Sequence, residues 1–555
     1  MSSPAETQTM ESNQPPSSAA SQTIASSEQK TTDAAPQDAA FNLKSPRFWL
    51  VLISVYLAFF LIALDRMIIA TAIPSITNTF GSISDIGWYG SAYMLTCAIF
   101  NPLFGNIYRF YNVKWVFMAS VAIFEIGSAV CGAAPTSPAF VVGRAVAGIG
   151  AAGISCGAVM IVVNIVPLHK RPVFTSFFGM AFGISSVLGP VLGGIFTDAK
   201  SLTWRWCFYI NLPIGGAAAM TIFFFLRLPP APQKQAAASL SLYEKAKRLD
   251  PLGLFLLIPS IVCLILALQW GGTKYAWSSA SVVVLLVVFS LTFIGFLFVE
   301  FKFPDTAMAP PRVVLNRSVG CSLFYTFMSA GGMMAAVYYL AIWFQAAQGQ
   351  NAMDAGIRTI PLVISLVIIG IMSGIAVQKM GYYVPPLLIA PILTSTGAGM
   401  LSTLTPSSGR AQWMGYQILY GFGVGAGAQS ASLAAQTVLP REDVPLGMAM
   451  NFFMQQLGGS LFIPVAQNIF STSLLKQLAG VDGLDTATIL NTGATDLKKV
   501  VAPGQLGVVV NAYSYACTRV FILGAALSAA MMIGALGVEW KSIKKGKQGT
   551  ATEKV

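Results

Sequence analysis

Histidine is nearly missing from this 555-residue chain: His169 is the only one. It stands beside Lys170 and Arg171 in a basic turn and reads as a solvated residue. No imidazole is left for a relay inside an apolar body, and any proton chemistry falls to carboxylates. Charge is scarce as well, at 10% of residues against 55% hydrophobic, with a mean hydropathy of +0.68; that balance excludes an ordinary soluble domain. The seven cysteines (Cys97, Cys131, Cys156, Cys207, Cys263, Cys321 and Cys517) have no CxxC spacing and lie in or beside apolar runs. They read as small apolar residues, with no disulfide framework and no metal site. There is no GxxxxGK[ST] phosphate loop and no cluster of His, Cys or carboxylates, so neither an enzyme nor a cofactor is expected. The N-terminus has no apolar h-region of a cleaved signal peptide.

What the chain has is long apolar runs. Stretches of about 20 residues suffice to cross a bilayer as helix, and fourteen are expected, near 48–73, 87–108, 115–134, 138–164, 173–197, 207–226, 251–269, 278–299, 319–344, 357–377, 384–404, 412–437, 446–470 and 508–537. The net charge of +12 does not point to nucleic acid, because the basic residues sit in short loops between these runs. Arg47, Arg109, Lys114, Lys170, Arg171, Arg227, Lys302, Arg312, Lys379, Arg441 and Lys541 fall on one face. The other face has only Lys200, Arg205, Lys274, Arg358, Arg410, Lys476, Lys498 and Lys499. The positive-inside rule then puts both termini in the cytosol. Residues 1–45, poor in large apolar side chains, read as a disordered tail. The stretch 227–317 reads as a basic linker, with a short amphipathic segment near Leu240 to Leu249, followed by two extra spans. An outward loop is expected over 471–507, with short surface helices around Leu474, Leu475, Leu478, Ile489 and Leu490, and a basic tail over 541–555.

One carboxylate interrupts the first run: Asp65, in Leu64-Asp65-Arg66-Met67. A charge at the centre of a membrane helix costs about 2.5–3.5 kcal/mol on insertion scales, so such a residue faces a polar interior and marks a functional candidate. Asp65 lies nine residues before Pro74, at the expected outward end of span one, and Arg144 about six residues inside the outward end of span four. The two can sit at neighbouring levels and pair. Arg66, about 100° around the helix, is free for a separate contact. Glu125 is the second buried carboxylate.

An internal repeat organises the chain. Arg144-Ala-Val-Ala-Gly148-Ile-Gly150 precedes Val166-Pro167, and Gln417-Ile-Leu-Tyr-Gly421-Phe-Gly423 precedes Leu439-Pro440. Gly105 to Lys114 has a counterpart in Gly374 to Tyr383, which includes Gln378, Lys379 and Gly381. Repeated halves are how secondary transporters build a midplane site.

With Trp88 to Tyr93, Gly189-Pro190-Val191-Leu192-Gly193-Gly194 and Trp204 to Pro213 added, the chain resembles the major facilitator superfamily, specifically its fourteen-span drug:proton antiporters of fungal type, over about Phe48 to Lys545. The resemblance implies an all-α membrane protein. Two six-helix bundles (46–226 and 318–540) flank two inserted helices and alternate access to a central site. It further implies proton-coupled efflux of small amphipathic molecules such as secondary metabolites, mycotoxins or drugs, with Asp65 titrating beside a fixed Arg144. A permanent structural ion pair is the other reading of the same two residues. For Glu125, a structural hydrogen-bonded role and a proton or substrate role both stand. Gly105, Arg109, Lys114, Gly189, Pro190, Gly193, Gly194, Gly374, Gln378, Lys379 and Gly381 fall on gating motifs. Two positions depart from the family pattern there: Arg109 stands where an Asp belongs and Asn112 where a Gly belongs. Ser185 likewise replaces a glycine before Gly189. A cavity lined by Tyr338, Tyr339, Trp343, Gln345, Gln417, Gln429, Asn451, Gln455 and Gln456 would suit bulky, weakly polar molecules. The expected partners are the substrate, protons and membrane lipid, with no nucleic acid; the expected state is a monomer in the plasma membrane, the vacuolar membrane being the alternative. Proton-coupled uptake of a nutrient or iron chelate, and a non-transporting membrane sensor, are the competing functions.

Overall fold

The structure, a computed structural model, describes residues 44–81, 85–198, 202–228, 241–272, 275–350, 352–479 and 504–544. Most of the expected N-terminal tail, part of the basic linker, the Ile489–Leu490 segment and most of the basic C-terminal tail lie outside the described residues. The rest is almost entirely helical, and extended pairing among the described residues is limited to isolated bridges at Gly271–Tyr275 and Tyr382–Ser542.

The long helices, in order, are α1 (Pro46–Phe80), α2 (Ile86–Phe110), α3 (Val113–Ala133), α4 (Ser137–Ile165), α5 (Arg171–Asp198), α6 (Asn211–Phe225), α7 (Pro251–Trp270), α8 (Ala280–Lys302), α9 (Arg317–Gln348), α10 (Ile360–Met380), α11 (Val384–Leu401), α12 (Arg410–Val438), α13 (Val444–Leu478) and α14 (Leu506–Gly537). Their starts are written in short polar residues. Asn112, Asp250, Ser279 and Asn316 each accept a hydrogen bond from a backbone N–H of the first turn, satisfying donors that the helix itself leaves unpaired. Glycines at φ +63°, +63° and +85° close α1, α9 and α10, where a side chain would be strained.

Among the described residues, eleven helices are long and apolar enough to cross a membrane by length and composition. Helices α2, α12 and α13 fall short of that measure, since each spends part of its length on small and polar residues such as Asn101, Gln417 and Gln456. Two expected boundaries are corrected. Helix α1, expected to end near residue 73, continues through Pro74 to Phe80. Residues 471–478, expected in a loop, continue α13, where Leu474 and Leu478 are buried and Leu475 is exposed.

Helix packing repeats with an offset of eight elements. In the first half α1 packs on α5 and α6, α2 on α4, and α3 on α4 and α6; in the second α9 packs on α13 and α14, α10 on α12, and α11 on α12 and α14. The two main cross-contacts are related in the same way: α2 meets α13 and α10 meets α5. Helices α7 and α8 pair with one another, and α7 also touches α2 and α13. Alternating up and down, the helices gather Arg47, Arg109, Lys114, Arg171, Arg312, Lys379 and Lys544 at one end of the bundle, the basic end. Links such as Arg47 to the Phe225 carbonyl and Lys114 to the Phe223 carbonyl confirm the common level.

Candidate functional site

Three arrangements follow from this packing. The first is an ion pair inside the first half. Arg144 on α4 donates through Nη1 to Asp65 Oδ2 at 2.5 Å and through Nε to the Tyr89 carbonyl at 2.9 Å. Its guanidinium lies 4.5 Å from the centre of the Tyr93 ring. Asn211 Nδ2 reaches Asp65 Oδ1 at 3.3 Å and Ser128 Oγ at 3.1 Å, so α1, α4 and α6 meet at one carboxylate and α3 joins them through Asn211. Both partners are 1% exposed. A buried pair survives desolvation only when its remaining hydrogen-bonding positions are filled, and Tyr89, Asn211 and the Tyr93 face fill them. Glu125, one layer away on α3, has both carboxylate oxygens buried without a partner among the described residues. It points at Gly215 of α6, where any side chain would collide with Oε1.

The second is a cavity of about 200 Å³ between the halves. Helices α1, α2, α4 and α5 face α9, α10, α12 and α13 across it. Phe59, Phe178, Phe182, Met333, Met334 and Phe452 supply apolar surface; Asn101, Gln429, Asn451, Gln455 and Gln456 supply the polar groups. Asp65 and Arg144 do not line it. Tyr93 does, with its hydroxyl on the Ile62 carbonyl at 3.1 Å, and so forms the partition between cavity and ion pair. Arg66 lines the cavity and bridges the halves through Nη1 to Gln456 Oε1 at 3.0 Å.

Of the residues expected at a substrate cavity, Gln429, Asn451, Gln455 and Gln456 line this one. The others stand elsewhere. Tyr338 is half exposed on the outer face of α9. Tyr339 is buried and donates to Gln467 at 2.8 Å, and Trp343 is buried and donates to Ser514 at 3.0 Å. Gln345 is partly buried outside the cavity lining, and Gln417 is fully buried between helices. The aromatic run on α9 is therefore mostly packing against α13 and α14: a helix has only one face toward the cavity, and spacing alone does not say which.

The third arrangement closes the basic end. Asp443, just before α13, receives Arg312 Nε at 3.1 Å and Nη2 at 3.0 Å, while Arg109 Nε at the end of α2 lies 3.6 Å away. Asp443 raises the Arg312 guanidinium above its ordinary pKa by accepting these hydrogen bonds. The carboxylate missing at position 109 is thus supplied from the opposite half, with the charges exchanged. Sequence reading missed Asp443 and Arg312; the signal was an arginine where an acid was expected, which requires its partner to be an acid in a neighbouring turn. Lys114 stays within its own half, on the Phe223 carbonyl at 2.6 Å, and Asn112 serves as the α3 cap.

Small residues set the crossings between and within halves. A side chain on Gly105 would meet Ala449 and the Pro445 carbonyl of α13; one on Gly374 would meet Ser176 and the Pro172 carbonyl of α5. Gly189 and Gly193 touch Met67, Ile68 and Thr71 of α1, whereas Gly194 faces open space and Pro190 is partly buried within α5. Ser185 keeps its contact with α1 by donating to the Phe60 carbonyl at 3.1 Å. Gln378 is half-buried and Lys379 exposed at the α10 end, where Lys544 donates to the Lys379 carbonyl and Gly381 provides the left-handed cap.

Residues 55–463 match the family model described as Major Facilitator Superfamily. The chain is 48% identical over 493 residues to the MFS-type efflux pump MFS1 of Trichophyton rubrum, covering 88% of this chain and 91% of that one. It is 42% identical over 512 residues to the efflux pump aflT of Aspergillus parasiticus, covering 92% and 99%. Among solved structures, the fold is similar to the human organic anion transporter MFSD10 (TM-score 0.54, 16% identity, 87% of this chain and 100% of that one). It is also similar to the proton:xylose symporter XylE (TM-score 0.52, 15% identity, 86% and 94%). A family match across most of the chain, and relatives sharing more than two-fifths of its residues, establish that this protein belongs to the major facilitator superfamily.

Proposed function

We propose that this protein is a proton-driven exporter of small amphipathic molecules, working by alternating access. The observation that carries the reading is the Asp65–Arg144 pair set directly behind Tyr93, which is itself a wall of the cavity between the halves. A proton on Asp65 removes the charge that holds Arg144 in place. The guanidinium then shifts against the Tyr93 ring, and the cavity wall moves with it. Arginine keeps its charge throughout and serves as the fixed partner, while the carboxylate trades its proton as hydration changes. Glu125 is a second protonatable group on the same route.

In this reading all fourteen long helices cross the membrane, with six-helix bundles at 46–226 and 318–540 and α7 and α8 inserted between them. The basic end faces the cytosol by the positive-inside rule, and the protein acts as a monomer in the plasma membrane. Efflux is supported by the relatives named as efflux pumps. Asp443 with Arg109 and Arg312 closes the cytosolic side, and the Gly105 and Gly374 crossings let the halves approach there. For a neutral substrate, one proton driven by about 100 mV contributes about 2.3 kcal/mol and one pH unit about 1.4 kcal/mol, enough for a gradient of several hundredfold.

The test is substrate accumulation in cells with and without the protein, repeated with Asp65→Asn and with a protonophore. Export that persists unchanged under both treatments removes proton coupling from the reading.

A further inference from the structure

Two adjacent charged residues of α1 differ in what answers them. Asp65 and Arg144 neutralise one another, and neither lines the cavity. Arg66, the next residue along α1, turns the other way and enters it. Among the described residues that line the cavity, Arg66 is the only charged one, and no aspartate or glutamate is present. Its contacts are neutral: Nη1 donates to Gln456 Oε1 at 3.0 Å, Nη2 lies 3.9 Å from the Met334 sulfur, and Nε is buried without a partner among the described residues. A partly shielded guanidinium with its Nε buried and no counter-charge is costly, and its fork of donors fits a planar anion.

We propose that the cavity selects organic acids, and that Arg66 is the group that binds their anionic end. The substrate class is a small aromatic or otherwise apolar monoanion, such as a carboxylate or an ionised phenol or enol. Its negative group displaces the Met334 contact and engages the free edge of Arg66. Its ring lies among Phe59, Phe178, Phe182 and Met333, with Asn451 and Gln455 available to further polar groups. Arg66 also ties α1 to α13 through Gln456, so an anion seated there contacts one of the polar links between the two halves. This inference rests on the reading of the cavity as the transport site and adds the charge of what it carries.

The experiment is equilibrium binding to the purified full-length protein at about pH 7, with 2-naphthoate and 2-naphthamide as probes of similar shape that differ in charge. Wild type is expected to bind the naphthoate about tenfold or more tightly than the amide, the size of one charge-assisted hydrogen-bond set. Arg66→Gln is expected to lose that preference by weakening the naphthoate while leaving the amide within about twofold; Arg66→Lys retains part of it. Equal binding of the two probes by wild type, no binding of the naphthoate, or a parallel loss of both probes in a monodisperse Arg66→Gln protein overturns the proposal. Binding requires neither a proton gradient nor a direction of transport. It can therefore fail while export stands, and export can fail while anion selection holds.

Discussion

Replacing Asp443 with asparagine tests the basic-end latch without changing its shape. Asp443 accepts two hydrogen bonds from Arg312, at 3.0 and 3.1 Å, and faces Arg109 at 3.6 Å. A hydrogen bond to a charged group contributes about 1.5–3 kcal/mol net. The Arg312 side chain is 40% exposed, so solvent screening reduces its share to the low end or below. Arg109 is more shielded, at 15%, and without the carboxylate it faces Arg312 as a like charge. The Arg312 bonds stay within the second half, and only the Arg109 contact crosses between the halves; with the Arg312 repulsion added, the latch gives about 1 kcal/mol in favour of the closed basic end, a shift of about fivefold in a two-state equilibrium. Spin labels at His169 and Lys379, exposed positions in the two halves, read that equilibrium as a distance distribution. Asp443→Asn is expected to move it from a short toward a long distance, with transport reduced through a wrongly balanced cycle. An unchanged distribution together with transport within about twofold of wild type would show that the three charges do not hold that end shut.

Further outcomes follow from individual contacts. Gly105→Val and Gly374→Val place side chains against backbone of the opposite half; each is expected to abolish transport while membrane expression persists, as measured by uptake of a fluorescent substrate in vesicles. Asn211→Leu removes one hydrogen bond to Asp65 and one to Ser128, and melting of the purified protein should reveal a loss of about 1–3 kcal/mol. Tyr93→Phe keeps the ring over Arg144 and loses only the bond to the Ile62 carbonyl, so it should retain most transport, whereas Tyr93→Ala should uncouple it; equal activity of the two would remove Tyr93 as the partition. Gly381→Ala forces a side chain into a left-handed cap at φ +85° and should destabilise by about 1–2 kcal/mol, seen as a lowered melting temperature.

The membrane character of this chain, its helical runs and its internal repeat were legible in the sequence. Length of apolar run, loop charge and turn residues are local properties, and in a bilayer the backbone has few alternatives to helix. Asp65 and Arg144 were legible too, because each is a costly charge in an apolar helix and their depths agreed. Local signals failed where the answer depended on rotation or on a distant partner. Pro74 resembled a stop, yet α1 runs on to Phe80 because a single proline bends a well-packed helix without ending it. The α9 aromatics looked like a cavity lining, but packing turned Tyr339 and Trp343 toward α13 and α14.

Sequence by itself determined which residues must be helical and which charges must be sheltered, since both follow from the cost of exposing polar groups to lipid. Only the tertiary structure decided where those charges point. Asp65 and Arg66 are adjacent in the chain, yet helix geometry separates them by about 100°. One meets Arg144 in a sealed layer and the other opens into the cavity. Asp443 and Arg109 lie more than three hundred positions apart, and only the approach of the two halves makes them partners.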